Sequence, residues 1–212
     1  MSTDVFSQLA QLKIIPVVIV DDASLADPMG EALVAGGLPI AEVTFRTAAA
    51  EAAIKALAKR GDLLVGAGTV LTVDNVKKAV DGGASFIVTP GFNPKVVSYC
   101  MEHKIAITPG TVTATEIGLA LDFGLTVVKF FPAEASGGIK TLKAVAAPYA
   151  AMRFVPTGGI VPQNLADYLK FGQVLACGGS WMVSKDLLAN KQFDKIRELA
   201  RQAVDLAKTA RP

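Results

Sequence analysis

A (β/α)8 TIM barrel is the fold class this sequence predicts: α/β, one domain, with extra helical segments at the termini. Three observations point to it. Short β-branched runs alternate with longer amphipathic, Ala-rich segments along almost the whole chain. Strands that alternate with helices make a parallel sheet, because parallel neighbours need a crossover between them. Eight such strand–helix units fit in the 212 residues, the number that closes a barrel, near the short end of that fold's range. No linker or low-complexity stretch interrupts the rhythm, so residues 1–212 read as a single domain. An open doubly wound sheet is the alternative architecture.

In order, the first strand spans residues 14–20, followed by a helix from Ser24, read as its N-cap, to the Gly36-Gly37 stop. Residues 39–44 form the second strand, with a helix over 48–59 ended by Gly61. The third strand, 63–67, leads to a helix that starts at Thr72 or Val73 and stops at Gly82-Gly83. Strand four covers 85–89, with a helix from Asn93 to His103. Strand five covers 105–108, with a helix from Thr113 to Phe123 closed by Gly124. Strand six is 126–131, with a helix over 138–147. Strand seven is 152–156, with a helix from Pro162, a favoured first-turn residue, to Lys170. Strand eight is 173–176, and an amphipathic helix over 194–210 ends the chain.

With 51% hydrophobic and 19% charged residues, the chain has ample material for a core. A formal net charge of +2, from 21 basic and 19 acidic residues, is too balanced to imply nucleic acid or an anionic membrane as partner. Cys100 and Cys177 have no metal-ligand spacing and read as free thiols in a reducing compartment. The first residues carry no secretory-signal pattern, and the apolar run 14–20 is too short to span a bilayer. These features predict a cytoplasmic protein.

The chemistry concentrates in the sixth strand. Lys129 sits between Val127-Val128 and Phe130-Phe131 in a run that otherwise reads as buried. A lysine there either pairs with a carboxylate, snorkels at a strand end, or becomes a neutral amine able to attack a carbonyl. Active sites of such barrels lie at the C-terminal strand ends, so the polar residues there carry the argument. In the second strand, period two puts Glu42, Thr44 and Arg46 on one face. Facing the lumen, they supply a carboxylate and a guanidinium. Facing solvent, they are an ordinary polar edge.

The third strand ends in Gly66-Ala67-Gly68-Thr69. A dinucleotide fingerprint fails because its third glycine falls on Leu71. The small residues let a substrate approach the backbone beside the Thr69 hydroxyl, or make a tight turn. Thr89-Pro90-Gly91 and Thr108-Pro109-Gly110 read as turns. Paired glycines follow both late strands, in Thr157-Gly158-Gly159 and in Gly178-Gly179-Ser180, the pattern of a backbone phosphate cradle or of two glycine turns. His103, the single histidine, reads as a surface residue, which leaves no Ser–His–Asp triad. No His, Cys, Asp or Glu group has metal-ligand spacing.

The strings EVTFRT, VGAGTVL, VKFFPAEASGGIK, FVPTGGI and GGSWMV, in this order and spacing, closely resemble the 2-keto-3-deoxy-6-phosphogluconate aldolase family. That family also includes members acting on 4-hydroxy-2-oxoglutarate. The resemblance runs from about Lys13 to the last helix. It implies a class I, metal-independent and cofactor-free aldolase, a lyase on a (β/α)8 barrel, as a homotrimer, with a phosphorylated 2-keto acid as its small-molecule partner. Carried over residue by residue, it makes Lys129 the Schiff-base lysine and Glu42 the general acid/base. It gives Arg46 and Thr69 the pyruvyl carboxylate and places Pro90 and Phe131 beside the substrate, with Thr157 on the pyruvyl side. Phosphate binding falls on Gly158, Gly159, Gly179 and Ser180. One departure is visible: some members carry an arginine in the first strand, where this chain reads Val17-Val18-Ile19-Val20.

Two competing readings keep the barrel and the cradle. An isomerase or decarboxylase would use Glu42 as base and Lys129 as a point charge. A silent phosphate-ligand sensor would need only the cradle.

Overall fold

The structure, a computed structural model, describes residues 2–211. Met1 and Pro212, the two ends of the expected 1–212 domain, lie outside the described residues. The chain opens with helix α1 (Ser2–Leu12) and strand β1 (Ile14–Val18). A 3-10 turn, Ala23–Leu25, then leads into α2 (Ala26–Ala35). The middle of the chain runs β2 (Ile40–Thr44), α3 (Ala50–Arg60), β3 (Leu64–Gly68), α4 (Val73–Asp81), β4 (Phe86–Val88) and α5 (Pro94–Glu102). It continues with β5 (Ala106–Thr108), β6 (Gly110–Thr111), α6 (Ala114–Asp122), β7 (Val127–Phe130) and α7 (Gly138–Ala146). The last part is β8 (Arg153–Pro156), α8 (Pro162–Leu169), β9 (Cys177–Gly179), a 3-10 turn at Trp181–Val183, α9 (Lys185–Ala189) and α10 (Phe193–Ala210).

Local chemistry explains the helix starts. Thr72 accepts the Asn75 N–H at the start of α4, and Asn93 accepts the Lys95 N–H where Pro94 opens α5. Thr113 and Glu116 form a reciprocal capping box on α6. Burial alone would raise the Glu116 carboxyl, but the N–H groups of Val112 and Thr113 and the Thr113 hydroxyl hold it below its ordinary value. Gly61 ends α3 in the left-handed region at φ 74°.

The strands form two parallel sheets, one of order β5-β4-β3-β2-β1-β9 and one of order β6-β7-β8. They curl into a half-barrel. Isolated parallel bridges Phe154↔Val174 and Thr157↔Gly178 link the β8 region to the chain around β9. On the other side, the Lys129 N–H donates to the Pro109 carbonyl at 2.9 Å, just beyond the end of β5. One core cluster runs from Val5 to Ala207.

Four local expectations are corrected. Ser24 does not cap α2: the Asp22 carboxylate accepts the Ser24 N–H at 2.9 Å, and the chain makes a 3-10 turn before the helix starts. The first strand ends at Val18, two residues short of the expected span. Thr108-Pro109-Gly110 is not a turn but a break between β5 and β6. Gly110 pairs with Lys129, and a Cβ at Gly110 would run into the Pro90 carbonyl. The last strand lies at Cys177–Gly179 rather than 173–176, because its ladder forms with β1, from Ile14↔Cys177 to Pro16↔Gly179. The Gln173 side chain instead donates to the carbonyls of Tyr149 and Met152.

Candidate active site

Every residue of β7 is buried, including Lys129, which keeps only 5% of its surface exposed. Every residue of β2 is buried too, with Glu42 and Thr44 at 1% each. Neither strand shows solvent the polar face that a sheet edge would. The two strands belong to different sheets, yet the Lys129 Nζ stands 3.4 Å from the Glu42 Oε1. That is longer than the ~2.7–2.9 Å of a tight charge-assisted bond. The same Nζ lies 4.9 Å from the centroid of the Phe131 ring.

Glycines make room for this pair. Glu42 is in register with Gly66, and Thr44 with Gly68. A Cβ on Gly68 would come within 2.8 Å of the Glu42 Cγ and 2.9 Å of its Cδ, and one on Gly66 would strike the Phe86 ring. The small residues of β3 are therefore explained by the side chains on either side of them, Glu42 and Phe86.

Arg46 follows β2 and is exposed. Its Nε donates to the Thr69 hydroxyl at 3.3 Å. Among the described residues it forms an ion pair with no carboxylate. Thr69 holds φ 55°, in the left-handed region. For a β-branched residue this is a costly conformation, of the kind that concentrates at functional sites.

A cavity of about 260 Å³ brings together Arg46, Phe131, Thr157, Gly158, Gly159, Gly179 and Ser180. Val17, Ile19, Ile160 and Gly178 complete its wall. Gly158 and Gly159 take φ values of 98° and 79°, which favour glycine. The backbone N–H groups of Gly159 and Ser180 meet no acceptor among the described residues, and a free N–H beside a cavity is a donor in search of an anion. Thr157 is buried, and among the described residues its hydroxyl reaches only the Val155 carbonyl, at 3.5 Å. The arrangement can hold an anion at the glycine end and a carboxylate at Arg46, with the buried amine and its carboxylate partner behind Phe131 of the same wall.

The structure thus groups seven of the expected site residues on one wall, with Thr69 tied on through Arg46 and Lys129 set against Phe131; the Lys129–Glu42 pair does not itself line the cavity. Pro90 is not on that wall: it is half-buried, with its carbonyl against Gly110. Val17 and Ile19, in the first-strand stretch where some members carry an arginine, both line the cavity. Val17 is in register with Glu42, a signal that needs strand register rather than periodicity. Asn164 has no sequence signal beyond its place in a helix, yet its amide donates to the Gly159 carbonyl at 3.0 Å. His103 ends α5, exposed and stacked on Tyr99 at 4.0 Å. Among the described residues, no group of three His, Cys, Asp or Glu is placed to hold a metal ion, and no helix is long and apolar enough to cross a membrane.

Known proteins resemble this chain in sequence and in fold. The family described as "Aldolase: KDPG and KHG aldolase" matches residues 5–199. A 2-dehydro-3-deoxy-phosphogluconate aldolase of Treponema pallidum (strain Nichols) is 48% identical over 203 residues, covering 95% of this chain and 97% of the relative. The KHG/KDPG aldolase of Escherichia coli (strain K12) is 45% identical over 196 residues, 92% of each chain. Among solved structures, the 2-keto-3-deoxy-6-phosphogluconate aldolase of Zymomonas mobilis ZM4 with 3-phosphoglycerate superposes with a TM-score of 0.89 at 38% identity, covering 97% of both chains. The KDPG aldolase of Legionella pneumophila, with pyruvate captured as a covalent carbinolamine intermediate, gives a TM-score of 0.90 at 36% identity, covering 93% of this chain and 96% of that one.

Proposed function

The chain belongs to the KDPG and KHG aldolase family, and from that premise we propose that it is a class I aldolase cleaving 2-keto-3-deoxy-6-phosphogluconate to pyruvate and glyceraldehyde 3-phosphate. Action on 4-hydroxy-2-oxoglutarate, giving pyruvate and glyoxylate, belongs to the same reading. The observation that carries it is the buried Lys129 Nζ, 3.4 Å from the Glu42 Oε1 and 4.9 Å from the ring of Phe131, a residue that lines the cavity.

In this mechanism the neutral Lys129 amine attacks the C2 carbonyl, and the carbinolamine loses water to give a protonated imine. Glu42 takes the proton of the C4 hydroxyl, directly or through a water. The C3–C4 bonding pair moves into the imine, the aldehyde departs and an enamine remains. Protonation at C3 and hydrolysis release pyruvate and restore the amine. The imine divides one difficult carbanion step into easier ones, and a positioned base typically contributes about 10²–10⁴-fold. Arg46 with Thr69 holds the pyruvyl carboxylate in a bidentate-capable fork, with Thr157 on the same side and Phe131 and Pro90 beside the substrate. Gly158, Gly159, Gly179 and Ser180 hold the phosphate through backbone N–H groups. Apolar Val17 and Ile19 stand where a first-strand cation would otherwise reach the phosphate.

The two sheets belong to one closed (β/α)8 barrel in this reading, supported by the bridges at β8/β9 and the Lys129–Pro109 bond on the opposite side. A single domain is supported by the one core cluster. A cytoplasmic homotrimer completes the proposal, and a solution mass of three times 22.0 kDa is its check.

The chemistry is tested by borohydride reduction in the presence of pyruvate. Added mass on the peptide containing Lys129 is expected. Labelling elsewhere, or none, would overturn the Schiff-base role and favour an isomerase, a decarboxylase or a sensor.

A further inference from the structure

The Gly158-Gly159 turn must aim its N–H groups without any side chain of its own to hold it. Two glycines at φ 98° and 79° are the most freely rotating pair a chain can offer. In a trans peptide the N–H points opposite to the preceding carbonyl, so whatever holds a carbonyl aims the next N–H. The Gly158 carbonyl accepts the Glu134 N–H at 3.0 Å, which sets the direction of the Gly159 N–H. The Gly159 carbonyl accepts the Asn164 amide at 3.0 Å, which sets the Ile160 N–H. Asn164 is itself oriented, because its Oδ1 accepts the Val161 N–H at 2.9 Å.

Glu134 also blocks the turn physically. A Cβ on Gly159 would lie 2.6 Å from both the Cβ and the Cγ of Glu134, so the stem of that side chain is packed against Gly159. Its carboxylate is anchored by the hydroxyl of Tyr168, which is 1% exposed on α8.

We propose that Asn164 and the Glu134–Tyr168 pair are positioning residues that clamp the Gly158-Gly159 turn, and through it set the affinity for the phosphorylated end of the substrate. This rests on the cradle reading above. Donors fixed before the ligand arrives cost no ordering at binding, and the clamp supplies that order from neighbouring elements.

The test uses Tyr168→Phe, which removes one hydroxyl at constant ring size, and Asn164→Leu, nearly isosteric without the amide. Asn164→Gln serves as the conservative rescue. Each is compared with wild type on 2-keto-3-deoxy-6-phosphogluconate and on its unphosphorylated counterpart. The expected result is KM for the phosphorylated acid raised about fivefold, the loss of roughly one hydrogen bond. kcat, KM for the unphosphorylated acid and borohydride trapping of pyruvate stay as in wild type, and Asn164→Gln recovers part of the KM. A KM unchanged in both Tyr168→Phe and Asn164→Leu, or an equal loss on both substrates, overturns the clamp. If wild type itself does not distinguish the two acids, the cradle reading fails and the clamp falls with it. Discrimination as large in every variant as in wild type removes the clamp alone.

Discussion

The Lys129 Nζ and the Glu42 Oε1 stand 3.4 Å apart, buried, although the residues are 87 positions apart in the chain and lie on strands of different sheets. A buried pair of this kind adds little net stability, since desolvation offsets most of the attraction. Its length fits two groups that must part when the amine attacks a carbonyl and the carboxylate takes up a proton.

Glu42→Gln keeps the shape and removes the base. Turnover should fall by about 10²–10⁴-fold, while borohydride trapping of pyruvate on Lys129 remains at least in part. Steady-state rates beside mass spectrometry of the trapped enzyme check it. Unchanged turnover would remove Glu42 from the acid/base role.

Gly68→Ala tests the space beside the base. The added Cβ would sit 2.8 Å from the Glu42 Cγ, so the carboxylate has to shift away from Lys129. The expected outcome is native circular dichroism with kcat lowered by about 10²-fold, the scale of a misplaced catalytic group. A fully active variant would show that the position of Glu42 is not critical.

Thr69→Gly separates strain from function. Removing a β-branched side chain from φ 55° should raise stability by about 1 kcal/mol. Loss of the hydroxyl that receives the Arg46 Nε at 3.3 Å should raise KM for the keto acid. Thermal unfolding and kinetics on one preparation read both. A fall in stability without a change in KM contradicts this account.

Alkaline pH should destabilise the fold through its buried acids. Burial pushes the Cys100 thiol from 9.0 up to about 12 and pushes the Cys177 thiol up as well, and burial followed by the bond to Glu134 raises the Tyr168 phenol. In the unfolded chain these groups release protons from about pH 9 upward, whereas the folded chain retains them. The unfolded state therefore binds fewer protons, and stability falls as pH rises from about 9 toward 12. Denaturant midpoints across that range test the sign. At pH 8 the native thiols should resist a thiol reagent that labels both after unfolding.

What the sequence determined by itself is the alternation of elements and the chemical inventory. A β-branched run enclosing Lys129, the period-two face of Glu42, Thr44 and Arg46, and the paired glycines near the last two strands need only local spacing to be seen. Helix starts at Thr72, Asn93 and Thr113 were legible because the cap and the helix it serves are neighbours in the chain. Tertiary structure decided whatever depends on register and on approach across the fold. Pro109-Gly110 has the composition of a turn, but pairing with Lys129 makes Gly110 a strand residue. Gly66 and Gly68 have the look of a ligand loop, but the neighbours that require them are Glu42 and Phe86, on adjacent strands. Val17 lines the cavity from a strand paired in register with that of Glu42, and from the helix after the glycine turn Asn164 reaches its Gly159 carbonyl and Tyr168 reaches Glu134. Local spacing encodes which face a side chain takes; only the closed set of neighbours says what that face meets.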